Sequence, residues 1–164
     1  MPDASKDQWI QPVSEFILTR QNLPHMQLPG GTYFTATNTL NRQELSEPAR
    51  DIIFQAIRFH DGKKYDLTAA IVMPDHFHLI LRPLTKKQSG YYSLPEIFHS
   101  IKSYSAHQLK LHLWQDENYD HIIRNDKDHS EKLQYLVMNP VVAGLVSSPE
   151  EYPWLYYPPI GKIW

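Results

Sequence analysis

The sequence predicts an α+β domain in which helices pack on one antiparallel sheet, in the ferredoxin-like, split-βαβ manner. Three observations carry that expectation. Four short runs, at 30–40, 65–73, 76–82 and 119–124, are rich in aromatic and β-branched residues or alternate in polarity, as strands do. Three longer runs repeat apolar residues at helical spacing, and two of them follow capping pairs. The resulting order is strand, helix, strand, strand, helix, strand, helix.

Residues 1–29 are polar with scattered apolar positions and read as an N-terminal arm, so the domain is expected over 30–164. The stretch GGTYFTATNTL alternates after a glycine pair and reads as the first strand. Pro48 suits a first helical turn, and Ile52, Ile53, Ala56, Ile57 and His60 follow at helical spacing until Asp61 and Gly62 close the helix. Strands from Tyr65 to Met73 and from His76 to Arg82 are separated by Pro74 and Asp75. Proline donates nothing to a ladder, so Pro74 is expected at a bulge or a short break.

Ser93 and Glu96 form a capping-box pattern before Leu94, Ile97, Phe98, Ile101, Tyr104 and Leu109, the apolar side of a second helix. Beyond Trp114 an acidic turn leads to a short strand from Tyr119 to Arg124. Asp128 and Glu131 make a second capping pair, opening a helix with Leu133, Leu136 and Val137 inward. Pro140 is expected to end or kink that helix.

Composition narrows the function classes. A chain of 164 residues fits one domain, and with 41% hydrophobic and 21% charged residues it is ordinary for a globular protein. No apolar run approaches the roughly 20 residues that cross a bilayer, and the first residues lack the basic start and apolar core of a secretion signal. A cytoplasmic protein without membrane partners is expected. The absence of cysteine excludes disulfides, thiolate metal sites and a cysteine nucleophile, leaving nitrogen and oxygen ligands, for which nine histidines are available. The net charge of -2 is unevenly spread: 82–110 holds five basic residues against one acidic, and 116–131 holds six acidic against two basic. A local basic surface for phosphates is therefore present despite the acidic total.

His76 and His78 flank Phe77 on one predicted strand, so both imidazoles project to the same face, about 7 Å apart at the backbone. Such a pair can converge on a divalent ion, or can be two solvated imidazoles. Tyr135 and Asn139 stand one helical turn apart on the last helix. A phenol can attack a phosphodiester whose charge a metal neutralises, and an amide oxygen can complete the metal shell. Equally, Tyr135 can pack at a helix edge and Asn139 can terminate the helix before Pro140. Spacing leaves both readings open.

The strings VMPDHFHLIL, NYDHIIRN, QYLVMNPVVAGLV and PEEYPW, spread from about Gly30 to Trp154, resemble the single-tyrosine transposases of the HUH endonuclease superfamily. The branch associated with repetitive extragenic palindromes (REP) is the one they resemble most. HUH denotes histidine, hydrophobic residue, histidine, met here by His76, Phe77 and His78. The resemblance implies a fold like an RNA-recognition module, Tyr135 as nucleophile, and His76, His78 and Asn139 as ligands of Mg2+ or Mn2+. It implies a transposase that nicks and rejoins single-stranded or hairpin DNA through a 5'-phosphotyrosine, acting as a monomer or a homodimer. In that branch the N-terminal region can help to read the hairpin, and some relatives extend further at the C-terminus than Trp164.

Arg82, Lys86, Lys87, Lys102, Lys110 and Arg124 are the candidate phosphate contacts, with Tyr91, Tyr92 and Tyr104 as stacking platforms for unpaired bases. His121 is a candidate to orient a ligand or phosphate, or a filler of the sheet. Tyr119 is a rival nucleophile that lacks an amide one turn on. Two other functions stand beside the transposase: a non-catalytic or domesticated nucleic-acid-binding protein on the same fold, and a replication or conjugation initiator. The initiators commonly carry a lysine near the nucleophile in its helix, where this chain has Leu136, Val137, Met138 and Asn139. Trp154 is expected to pin the C-terminus to the core.

Overall fold

Five antiparallel strands form the central sheet of the structure, a computed structural model that describes residues 17–21 and 23–159. A hairpin comes first, β1 (Ile17–Gln21) paired with β2 (Leu23–Gln27). The remaining elements are β3 (Thr32–Thr39), α1 (Glu47–Phe59), β4 (Tyr65–Val72), β5 (His76–Pro83), α2 (Leu94–Leu109), β6 (Trp114–Ile123), α3 (Asp126–Val142) and β7 (Leu155–Tyr156). The sheet order is β6-β3-β5-β4-β7. Each of α1 and α2 therefore joins two strands that have a third, antiparallel one between them. The α+β, split-βαβ expectation is what the chain adopts.

Of the arm expected over residues 1–29, residues 1–16 lie outside the described part, and the hairpin occupies most of the rest. Gln27 at its end is buried. Its Oε1 accepts from Leu94 N at 2.8 Å and its Nε2 donates to Tyr92 O at 2.9 Å. One side-chain amide thus satisfies an orphan N–H in the first turn of α2 and ties the hairpin to the domain.

The two sheet faces carry different cargo because alternate residues of β5 point opposite ways. Phe77, Leu79 and Leu81 are fully buried on one face. There Phe77 meets Trp114 edge to face at 5.2 Å, and Trp114 Nε1 donates to Ser105 Oγ of α2 at 2.9 Å. Tyr65, opposite Pro83 and so on the same face, donates its hydroxyl proton to Ile57 O of α1. Helices α1 and α2 cover this layer. His76, His78, Ile80 and Arg82 line the other face, which α3 crosses with Leu133, Leu136 and Val137 buried.

Local chemistry sets the helix ends. Ser93 and Glu96 close a reciprocal capping box at α2, the arrangement expected from the sequence. The second capping pair lies elsewhere: Asn125 is the N-cap of α3, its Oδ1 accepting from Asp128 N at 2.8 Å. Asp128 is drawn off by other donors, His121 and the Arg124 N–H. Pro140 neither ends nor visibly interrupts α3, which continues to Val142. The proline forfeits one bond in the last turn, and the helix closes just beyond it. Leu145 N bonds Pro140 O at 2.9 Å and Gly144 N bonds Val141 O at 3.0 Å, with Gly144 at φ 76° supplying the left-handed residue that this closure needs.

Three further differences follow from edges and turns. Pro74 and Asp75 form the turn of the β4–β5 hairpin, where Met73 N bonds His76 O at 2.8 Å. β6 begins at Trp114, since acidic residues that read as a turn are tolerated on an edge strand facing solvent. β7 adds two residues to the far edge beside β4. Just before it, Trp154 is buried, donates to Asp51 Oδ1 at 2.7 Å and lies under Arg50, the anchoring expected of it.

Candidate active site

Antiparallel register assembles the site from three strands. Asn38 lies opposite His76, Ala36 opposite His78, and Phe34 opposite Ile80. On the other side of β3, Ala36 faces Tyr119 and Phe34 faces His121. Partners directly opposite share a face, so all of these side chains stand on the histidine face. The His76 and His78 rings are 4.7 Å apart, centroid to centroid.

Tyr135 of α3 closes the group. Its ring lies 5.6 Å from that of His78 and 5.9 Å from that of Phe34, edge-on to both. Phe34 in turn stacks on His78 at 5.1 Å. The tyrosine is 57% exposed, so apolar and imidazole rings hold it while solvent or a ligand can reach it. Along α3, Asp128 reaches His121, Lys132 lies over Phe34, and Tyr135 meets Phe34 and His78. These contacts follow the i, i+4, i+7 spacing of a single helical face.

Hydrogen bonds fix which ring nitrogens are free. A carbonyl oxygen can only accept, so the 3.2 Å contact between His78 Nδ1 and Thr35 O makes Nδ1 the protonated nitrogen. His78 Nε2 then carries a lone pair, and it is buried with no partner. Burial pushes the His78 pKa down to about 4, which keeps the imidazole neutral near pH 7. His76 donates Nδ1–H to Asp75 Oδ1 at 2.6 Å, which turns its Nε2 outward as well. Burial alone would raise Asp75, but the His76 hydrogen bond and the Arg42 charge outweigh it and hold the carboxyl below its usual range. Asp75 and Arg42 are absent from the motif reading, though Asp75 adjoins His76 in PDHFH.

An orphaned, buried, neutral imidazole nitrogen beside a second oriented imidazole fits a divalent metal. Among the described residues no group of three or more histidine, cysteine, aspartate or glutamate side chains could hold an ion. A third protein ligand would thus be a neutral one, and Asn139 is of that kind. It lies one turn after Tyr135 within α3, and the two line one open concavity of about 570 Å³ with Glu131, Gln134 and Met138. His76 and His78 do not line that concavity. Of the two ions that the sequence resemblance implies, imidazole nitrogens with an amide oxygen suit Mn2+ better than Mg2+, which takes oxygen ligands.

The other candidates scatter. His121 is engaged by Asp128 at 2.9 Å and straps α3 to β6. Tyr119 is on the histidine face and 56% exposed, but β3 separates it from His78, a gap of about 10 Å at two strand spacings. Arg82 pairs with Asp66 at 2.8 Å, and Lys86 pairs with Glu96 at 2.5 Å. Lys102 donates its Nζ proton to Gln115 O at 2.7 Å, and burial lowers its pKa to about 8. Lys87, Lys110 and Arg124 are exposed. Since α2 covers the Phe77 face, Lys102 and Lys110 stand on the opposite side of the sheet from the histidines. Arg124, at the junction of β6 and α3, does not. Of the stacking candidates, Tyr104 is exposed, and Tyr92 lies near Lys64 and Lys86.

No family model matches the chain. It is 28% identical over 137 residues to the REP-associated tyrosine transposase of Escherichia coli (strain K12), covering 77% of this chain and 76% of that protein. In fold it is similar to a solved structure of a REP-associated tyrosine transposase bound to a REP hairpin. That likeness has a TM-score of 0.69 and 25% identity, and covers 83% of this chain and 82% of the other. No helix among the described residues is long and apolar enough to cross a membrane.

Proposed function

We propose that this chain, which is similar to REP-associated tyrosine transposases, cuts and rejoins single-stranded or hairpin DNA with Tyr135 as nucleophile. The observation that carries the reading is the ring contact of Tyr135 with His78, 5.6 Å, beside a His76–His78 pair at 4.7 Å in the same chain. His76, His78 and Asn139 are the residues to hold a divalent ion. Such an ion, when bound, supplies charge neutralisation and polarisation at the scissile phosphate.

The chain's own part is positioning. Phe34 and His78 fix the Tyr135 ring on the sheet face, and the residue stays largely exposed. Attack by the phenolic oxygen forms a bond to phosphorus as the bond from phosphorus to the 3'-oxygen breaks. The phenol loses a proton and the departing 3'-oxygen gains one, so the products are a 5'-phosphotyrosine and a 3'-hydroxyl. The reverse attack by a 3'-hydroxyl rejoins a strand and frees Tyr135. Among the candidate cations, Arg124 is exposed and does not lie behind the sheet, so it is the one best placed for a phosphate contact at this site.

Labelled hairpin oligonucleotides with single-stranded flanks, incubated with the protein and Mn2+ or Mg2+, test this reading on denaturing gels. A covalent protein–DNA adduct is expected in the wild type, none with chelator, and none in Tyr135→Phe. An undiminished adduct in Tyr135→Phe overturns the assignment of the nucleophile.

A further inference from the structure

Asn41 and Arg42, in the short 3-10 turn after β3, are two consecutive non-glycine residues in the left-handed region, with φ of 53° and 54°. Paired strain of this kind persists only where the surroundings hold it, and it clusters at working sites. What holds it here is the Arg42 side chain. Its Nη1 donates to Asn38 Oδ1 at 2.6 Å, and its Nε bonds Asp75 Oδ2 at 3.0 Å. The other oxygen of that carboxylate, Oδ1, accepts from His76 Nδ1. Asn38 is the β3 partner directly opposite His76. The turn is also tethered through the backbone, since Thr39 N bonds Asp75 O at 2.9 Å and Leu45 N bonds Pro74 O at 2.6 Å.

We propose that Arg42 is a positioning residue that, through Asp75, sets the tautomer and ring orientation of His76 and so prepares its Nε2 for a divalent cation. The inference rests on the metal reading of His76 given above. The chemistry is directional. A carboxylate with one oxygen bonded by a guanidinium presents the other in a fixed place, and a carboxylate can only accept. His76 must therefore carry its proton on Nδ1, leaving Nε2 as a lone pair. Without Arg42, the Asp75 carboxylate at the half-buried hairpin turn loses the bond that fixes its Oδ2 and can rotate, and His76 can exchange its proton between the two nitrogens. His78 needs no such partner, because the Thr35 carbonyl is already fixed in the sheet. The two histidines are thus oriented by different means, one by the strand ladder and one by a side-chain chain reaching across from the strained turn.

Two measurements on the full chain test this. Imidazole 15N NMR of the metal-free protein reads the tautomer directly: His76 is expected as a single Nδ1–H form in the wild type, and as a mixture of both tautomers in Arg42→Ala and Asp75→Ala. Isothermal titration with Mn2+ is expected to show affinity falling about 10-fold or more in both variants, as for other partners of metal-bound histidines. Arg42→Lys, which keeps the charge but not both bonds, is expected to fall between. Asn41→Gly, which relieves the neighbouring strain without touching the chain of bonds, is expected to keep the wild-type tautomer and affinity. A purely structural role for the turn predicts that Arg42→Ala lowers the Tm while the His76 signals and Mn2+ affinity stay within twofold of wild type, and that result overturns the proposal. If the wild type binds no Mn2+, the metal reading fails on its own and the NMR spectra alone decide the role of Arg42.

Discussion

Tyr135 and His78 stand ring to ring in the same chain, 5.6 Å apart and nearly perpendicular, although 57 positions separate them in sequence. A site completed within one chain has a consequence for mixing. Tyr135→Phe and His78→Ala each lack one part of it, and neither protomer of a mixed population carries both. Combining the two variants is therefore expected to leave the covalent adduct absent. Recovery of a substantial fraction of wild-type adduct would mean that a partner chain donates the tyrosine.

Tyr135→Phe is itself expected to be nearly silent in stability. The ring keeps its edge contacts with Phe34 and His78, and the residue is largely exposed, so the change in unfolding free energy should lie within about 0.5 kcal/mol. Urea denaturation measures this. Hairpin affinity should likewise be retained, which separates loss of the nucleophile from loss of the fold.

Metal addition gives a readout that needs no DNA. An ion that binds only the folded chain stabilises it by mass action, about 2.7 kcal/mol at a concentration 100 times its dissociation constant. Mn2+ is expected to raise the Tm of the wild type and to leave that of His76→Ala unchanged. For His78 the metal-free state is informative as well, because its Nε2 is buried without a partner. Equal Mn2+ stabilisation of the wild type and His76→Ala would remove His76 from the metal site.

How much of this is legible in the sequence depends on the range of the interaction. His76 and His78 share a face because strand periodicity is local, and Tyr135 and Asn139 share one because helical periodicity is local. The contact of Tyr135 with His78 follows only from how α3 crosses the sheet of order β6-β3-β5-β4-β7, which no local pattern dictates. Arg42 is invisible for a different reason: nothing in LNRQ announces two left-handed residues, and its partner Asp75 becomes one only when the turn after β3 meets the β4–β5 hairpin. The basic run at 82–110 is legible as composition, but Lys86 and Lys102 are already engaged by Glu96 and by the Gln115 carbonyl. Sequence counts charges and does not see their partners.

That distinction separates two cations by the salt dependence of DNA binding. Arg124 is exposed at the junction beside the histidine face, whereas the Lys102 ammonium is bonded to a carbonyl beneath the other face. Each phosphate contact contributes about 0.7–0.9 to the slope of log affinity against log salt. Arg124→Ala is expected to lower that slope by about this amount, and Lys102→Met to leave it unchanged. Fluorescence anisotropy of a labelled hairpin over a salt series measures both.

Lys102 also leaves a mark on stability against pH. Burial lowers its pKa in the folded chain to about 8 from an ordinary value of 10.5. Between those two values the unfolded chain holds a proton that the folded chain has released, so the unfolded state binds more protons and stability rises with pH. The contribution is fully present above the unfolded value and is lost as pH falls through the folded one. Compared with Lys102→Met, the wild type should therefore gain stability steadily from about pH 8 to pH 10.5. Below pH 8 the difference between the two should be flat. Urea denaturation of both proteins across pH 7 to 11, taken as a difference so that other groups cancel, measures the slope. A constant difference throughout would mean that the Lys102 ammonium is as well solvated in the folded chain as in the unfolded one.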